Sequence, residues 1–190
     1  TEQKGIDLLL DALPALLDLP LKVVVLGSGE AQYEQRLLVL AAQHPDRIAF
    51  HSGYHEALAH RIIAGVDALL IPSRYEPCGL TQMYSQRYGT VPIAHAVGGL
   101  RDTIINACGR AVQGESGGAS GGEPWDGVAG TGILFDDYSV AGLQGAVASA
   151  NKLFQHAMLW SCLQLAGMKQ DFSWAASARE YNRLYHRILR

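Results

Sequence analysis

Cysteine is scarce in this chain and badly placed for cross-linking: 3 of 190 residues, at positions 78, 108 and 162. An odd count at wide spacing excludes a disulfide framework and points to a reducing compartment, either a bacterial cytoplasm or a plastid stroma. No apolar run approaches the roughly 20 residues that a membrane-spanning helix needs, and Thr1-Glu2-Gln3-Lys4 does not open a signal peptide. Charge is sparse as well. A formal net charge of −3 with 17% charged residues gives no basic surplus, so neither nucleic acid nor an anionic membrane is an expected partner. Metal-ligand spacing is missing too. His55 and His60, in HEALAH, are five residues apart where a shared zinc on a helix needs four, and neither a metal nor any other cofactor is expected. Gly27-Ser28-Gly29 falls short of a dinucleotide fingerprint because its third glycine position holds Gln32.

What is present is a pattern of alternating elements. Hydrophobic residues make up 48% of the chain, enough for one well-packed domain over residues 1–190. Apolar runs predict strands at Leu21–Leu26, Arg47–His51, Asp67–Ile71, 91–94 and 132–135. Between and after them, helices are predicted at Glu30–Gln43, His55–Gly65, 80–88, 100–107, 139–154, 157–169 and 173–189. Strand–helix alternation at this spacing implies βα units, hence a Rossmann-like three-layer α/β fold with a parallel sheet. The Gly/Ser-rich segment Gln113–Gly122 is expected to be a mobile surface loop.

The richest stretch is PSRYEPCGLTQ, Pro72 to Gln82. A buried strand leads into it and a helix leads out, which is where open α/β sheets place ligands. The turn holds a base (Arg74), an acid (Glu76), a thiol (Cys78) and a flexible Gly79. Leu80, Thr81 and Gln82 then open the helix, whose free amides and positive dipole end suit a phosphate. Cys78 has no neighbouring base to make it a nucleophile and reads as a small residue filling a tight turn.

PSRYEPCGLTQMY, followed by YGTVPIAHAVGGLRDTI, resembles the donor-site signature of bacterial glycogen synthases and plant starch synthases. QKGIDLLLDALP, VVLGSGE, SGYHEALAHRIIAGVDALLIPSRYEPCGLTQ and FSWAASAREYNRLY extend the likeness over nearly the whole chain. Those enzymes are retaining glycosyltransferases of the GT-B architecture, in which two Rossmann-like halves enclose the active site. The resemblance implies that this chain is the C-terminal, donor-binding half. Its last segment, 173–190, would be a helix packing toward an N-terminal half that lies outside the chain.

The resemblance also implies roles. Glu76 matches the donor-site glutamate that holds the glucose 3- and 4-hydroxyls, and Tyr84 stands where many relatives outside this branch carry a second glutamate. Lys4 matches the lysine that neutralises the departing diphosphate. The family's companion arginine would fall before Thr1, so weakened donor binding is expected. Leu80 and Thr81 would meet the distal phosphate, and Tyr54 would stack on adenine. Gly98-Gly99 would let the backbone crowd the donor, although Val97 replaces the usual threonine before them. Arg74 is open between a phosphate, Glu76 and a bracing role within the loop. The implied reaction is transfer of glucose from ADP-glucose to the non-reducing end of an α-1,4-glucan with retention, the leaving phosphate itself accepting the acceptor's proton. Two alternatives remain: another retaining GT-B enzyme using a UDP- or GDP-sugar, and a nucleotide-binding module with no activity alone.

Overall fold

A computed structural model describes residues 2–107 and 130–189; Cys108 and the Gln113–Gly122 segment lie outside the described residues. After a 3-10 turn at Glu2–Lys4, helix α1 (Ile6–Leu16) leads into β1 (Val23–Gly27), α2 (Ala31–Gln43), β2 (Ile48–Ser52), α3 (Glu56–Gly65) and β3 (Ala68–Ile71). Then follow α4 (Thr81–Tyr88), β4 (Val91–His95), α5 (Gly98–Thr103), β5 (Ile133–Phe135), α6 (Val140–Phe154), α7 (Ala157–Met168) and α8 (Trp174–Ile188). Every strand pairing among the described residues is parallel, as the alternation predicted.

The pairing falls into two sheets, β1-β2 and β3-β4-β5, rather than the single sheet expected. They are joined through side chains: Leu9 and Leu13 of α1 pack with Ile48 of β2, and Val23 and Leu70 close over the same cluster. The next positions of α1, Leu8, Ala12 and Leu16, belong to the main core with Val91, Ile93, Ile133, Phe135 and the α6 residues Leu143, Val147 and Leu153. One helix with two apolar stripes therefore ties both sheets together.

Alternation along the strands explains the layers. In β3–β5, Leu70, Val91, Ile93, Ile133 and Phe135 face α1 and α6. Their neighbours Leu69, Ile71, Ala94 and Leu134 face Leu100 and Ile104 on the opposite side. Strand β4 is buried at all five residues because helices cover both of its faces.

Two boundaries have clear causes. Helix α4 stops where Gly89 takes φ 79 and Thr90 N–H bonds back to Ser85. Helix α5 spans 98–103 where 100–107 was predicted. The chain beyond Thr103 turns extended because Ala107 N–H bonds Gly132 O and Thr131 N–H bonds Ile105 O, making a short parallel bridge at Asn106 and Gly132. The glycine pair forms the helix start instead of preceding it.

Candidate functional site

The β3–α4 connection is shaped by three polar clasps. Its acid, Glu76, is 8% exposed. Lys4 Nζ donates to Glu76 Oε2 at 2.5 Å and Ser73 Oγ donates to the same oxygen at 3.2 Å. A carboxylate taken out of water requires such partners, and a charged donor is the strongest available. Ser73 is placed in turn by its backbone: His95 Nδ1–H, at the end of β4, donates to the Ser73 carbonyl at 2.8 Å. Buried His95 lies against the rings of Phe135 and Tyr138.

The second clasp is glycine-dependent. Gly99 N–H donates to Glu76 O at 2.9 Å. Gly98 sits at φ 43, and a side chain there would begin 2.2 Å from Glu76 O. At Gly99 it would begin 2.0 Å from Cys78 O. Both distances are far inside van der Waals contact, so the start of α5 can lie on the Glu76–Cys78 backbone only because both residues are glycine.

The third clasp is Gln82, which is completely buried. Its Nε2 donates to Cys78 O and Gly79 O, each at 3.0 Å, and to Thr103 Oγ1 at 3.2 Å. Its Oε1 is buried without a partner among the described residues and lies under Gly79, which takes φ 75. Gln82 was expected among the ligand-binding residues. Its burial corrects that: the amide is committed to the floor of the turn. Leu80 and Thr81 stand exposed at the opening of α4, whose N-cap, Leu80, makes no side-chain capping bond. The first amides of α4 are therefore available to an anion.

Arg74 does not reach Glu76. Its Nη2 donates to Asp7 Oδ2 at 2.7 Å and lies 3.4 Å from Glu2 Oε1, while its guanidinium sits 5.0 Å from the Tyr138 ring centroid. Burial pushes the Asp7 carboxyl up, but the hydrogen bond and charge of Arg74 and the Leu8 N–H outweigh it, leaving the net value below normal. Burial, and next the Asp7 charge, push the Tyr138 phenol up.

The structure thus gathers Lys4, Glu76, Cys78, Gly79, Leu80, Thr81, Gly98 and Gly99 around one loop, with Arg74 and Gln82 as its braces. Tyr54 is 87% exposed just before α3, and no aromatic pairing holds it among the described residues. Cys78 is exposed and free. Ser73, Asp7, Thr103 and Tyr138 were not singled out from sequence. Only Ser73 gave a local signal, a hydroxyl two residues past the end of an apolar strand.

The Gly27–Gly29 turn has its own occupant. Glu34 accepts from Gly29 N–H and from Ser52 Oγ, both at 2.8 Å, and these two donors, Gly29 first, hold its carboxyl below the usual range. The Gly29 N–H is thus committed to a side-chain carboxylate. The described residues hold no group of three or more potential metal ligands.

Parallel strands whose carboxyl ends carry an uncapped helix start, a lysine and a carboxylate form an α/β domain with these groups where open sheets of this class place ligands. The chain belongs to the group 1 glycosyl transferases, whose family pattern matches residues 1–116. Glycogen synthase of Leptothrix cholodnii is 45% identical over 188 residues, which is 99% of this chain and 36% of that protein. Glycogen synthase of Anaeromyxobacter dehalogenans is 48% identical over 188 residues, with 98% and 36% covered. Among solved structures, the catalytic domain of starch synthase IV from Arabidopsis thaliana, bound to ADP and acarbose, superposes with a TM-score of 0.78 at 31% identity, over 98% of this chain and 36% of that one. The chain spans little more than a third of its relatives' length, and its fold is the α/β fold of GT-B glycosyltransferases.

Proposed function

We propose that this chain is the donor-binding half of a glycogen or starch synthase, transferring glucose from ADP-glucose to the non-reducing end of an α-1,4-glucan with retention. The observation that carries the reading is the Lys4–Glu76 contact beside the open end of α4. It sets a cation, a row of amides and a carboxylate within one ligand's reach, and relatives of matching sequence are glycogen synthases.

In this reading the diphosphate lies at the Leu80–Thr81 amides and takes the Lys4 ammonium from Glu76. Both contacts on Glu76 fall on Oε2, and we assign its other oxygen to a glucose hydroxyl. As the glycosidic C1–O bond breaks, negative charge grows on the diphosphate while the sugar becomes oxocarbenium-like. Fixed donors at that spot lower the barrier because they need no reorganisation. Tyr54 is free to stack on the base. The starch synthase IV structure carries ADP, which favours adenine over the UDP alternative.

We assign α8 to the contact with the N-terminal half. It has no buried residue, yet Trp174, Tyr181, Leu184, Tyr185 and Ile188 give it an apolar face. No helix among the described residues is long and apolar enough to cross a membrane. A bacterial cytoplasm or plastid stroma, where Cys78 and Cys162 would stay reduced, fits this reading.

The reading is tested by incubating the chain with ADP-glucose and maltooligosaccharides, alone and with the N-terminal half of a relative supplied. The chain alone should bind ADP and extend no glucan. Sustained glucan synthesis by these residues alone would refute the assignment to one half.

A further inference from the structure

Segment 2–7 carries Lys4, and Arg74 grips that segment at both of its own ends. The Arg74 backbone N–H donates to Gln3 O at 2.9 Å, and its side chain reaches Asp7 at 2.7 Å and Glu2 at 3.4 Å. Between these holds, Gly5 takes φ 68, and a side chain there would begin 1.8 Å from Pro72 O and 3.0 Å from the Tyr138 hydroxyl. Residues on both sides of Lys4 are thus pressed onto the loop that carries Glu76. The Lys4 side chain itself is 52% exposed. A long, flexible ammonium that is half in water keeps one geometry only if its backbone is fixed for it.

We propose that Arg74 is a positioning residue. Its Nη2, set between Asp7 and Glu2 with the guanidinium over Tyr138, holds the 2–7 turn so that the Lys4 ammonium stands at Glu76. Arg74 then influences an anionic ligand through Lys4 and touches no phosphate itself. For its effect on ligands, the proposal rests on the donor-site reading above.

The test is a double-mutant cycle on ADP affinity, using Arg74→Met and Lys4→Met, with amide hydrogen exchange recorded on the same samples. Arg74→Met should weaken ADP by roughly tenfold, whereas in the Lys4→Met background its further effect should be under about twofold. Arg74→Lys, which keeps the charge but loses the planar group over Tyr138, should fall between wild type and Arg74→Met. Equal losses in both backgrounds would make Arg74 a direct phosphate ligand and overturn the proposal, as would unchanged ADP affinity in Arg74→Met.

Should the unaltered chain bind no ADP, the donor-site reading fails and exchange alone decides the positioning claim. The Gly5 amide, bonded to Glu2 O at 3.0 Å, should then exchange about tenfold faster in Arg74→Met, while core amides of Leu143 and Val147 stay unchanged. Unchanged Gly5 exchange would overturn it.

Discussion

At the scale of single residues, burial decides roles that residue type leaves open. Gln82 and Arg74 are both good ligand donors by chemistry, and both lie beside the uncapped start of α4. One is sealed beneath the turn and the other is turned onto Asp7. Sequence gave the loop and its acid, because a strand, a polar turn and a helix start are contiguous in the chain. It could not give the Lys4–Glu76 pair, whose members are 72 residues apart, and it offered Arg74 several partners without choosing. The glycines carry sharper consequences. Gly98→Ala must displace the Glu76 backbone or strain its own φ, at about 1–3 kcal/mol. Its melting temperature should fall, and ADP affinity should fall with it. Gln82→Met removes three hydrogen bonds from the floor of the turn, leaving two backbone carbonyls in need of donors. A loss of about 1–3 kcal/mol is expected in chemical denaturation.

Elements were legible where period and punctuation agreed. The β-branched run of β1, the Gly89 stop of α4 and the Ser139 cap of α6, which accepts from Gly142 N–H, all fall within a residue or two of their predicted places. The end of α5 was not, and its start lies two residues early. Glycine is a poor helix former, so the pair at 98–99 read as a turn before the helix; contact with the Glu76–Cys78 backbone overrides that preference. The split between β1-β2 and β3-β4-β5 was illegible too, since hydrophobic pattern reports burial and not which backbone edges pair.

The link between α1 and the site loop has a pH signature. The folded value of Asp7 lies below its ordinary 3.8. Its contribution is therefore complete above about pH 4 and fades as pH falls through the lowered value. Asp7→Asn should melt lower than the unaltered chain at pH 7, by under about 1 kcal/mol for so exposed a pair. The gap should narrow as pH falls below 3.8 through the lowered value; a gap that never narrows on acidification would contradict the pairing. In the core, Leu163→Ala, at a fully buried position in α7 packed on the main cluster, should cost about 2–5 kcal/mol.

On the scale of the whole molecule, the site loop rests on the main core: His95 at the end of β4 holds Ser73 and lies against Phe135 and Tyr138. Helix α8 contributes to neither, with Trp174 89% exposed. Deleting 174–190 should shift the melting temperature by no more than about 3 °C, while reducing self-association seen by sedimentation, because the apolar face is removed. A large drop in stability would mean that α8 belongs to this domain's own core. On the proposed reading the chain should fold and bind nucleotide yet leave catalysis incomplete, because closing two halves over the donor is what excludes water.

The most direct test of the central claim is calorimetric titration of the chain with ADP, UDP and ADP-glucose, beside Glu76→Ala. The account predicts that ADP binds more tightly than UDP and that ADP-glucose binds more tightly than ADP. It also predicts that the variant loses only the increment due to glucose, with its affinity for ADP undiminished once Lys4 is released. Equal loss of ADP and ADP-glucose binding in Glu76→Ala, or a preference for UDP, would contradict it.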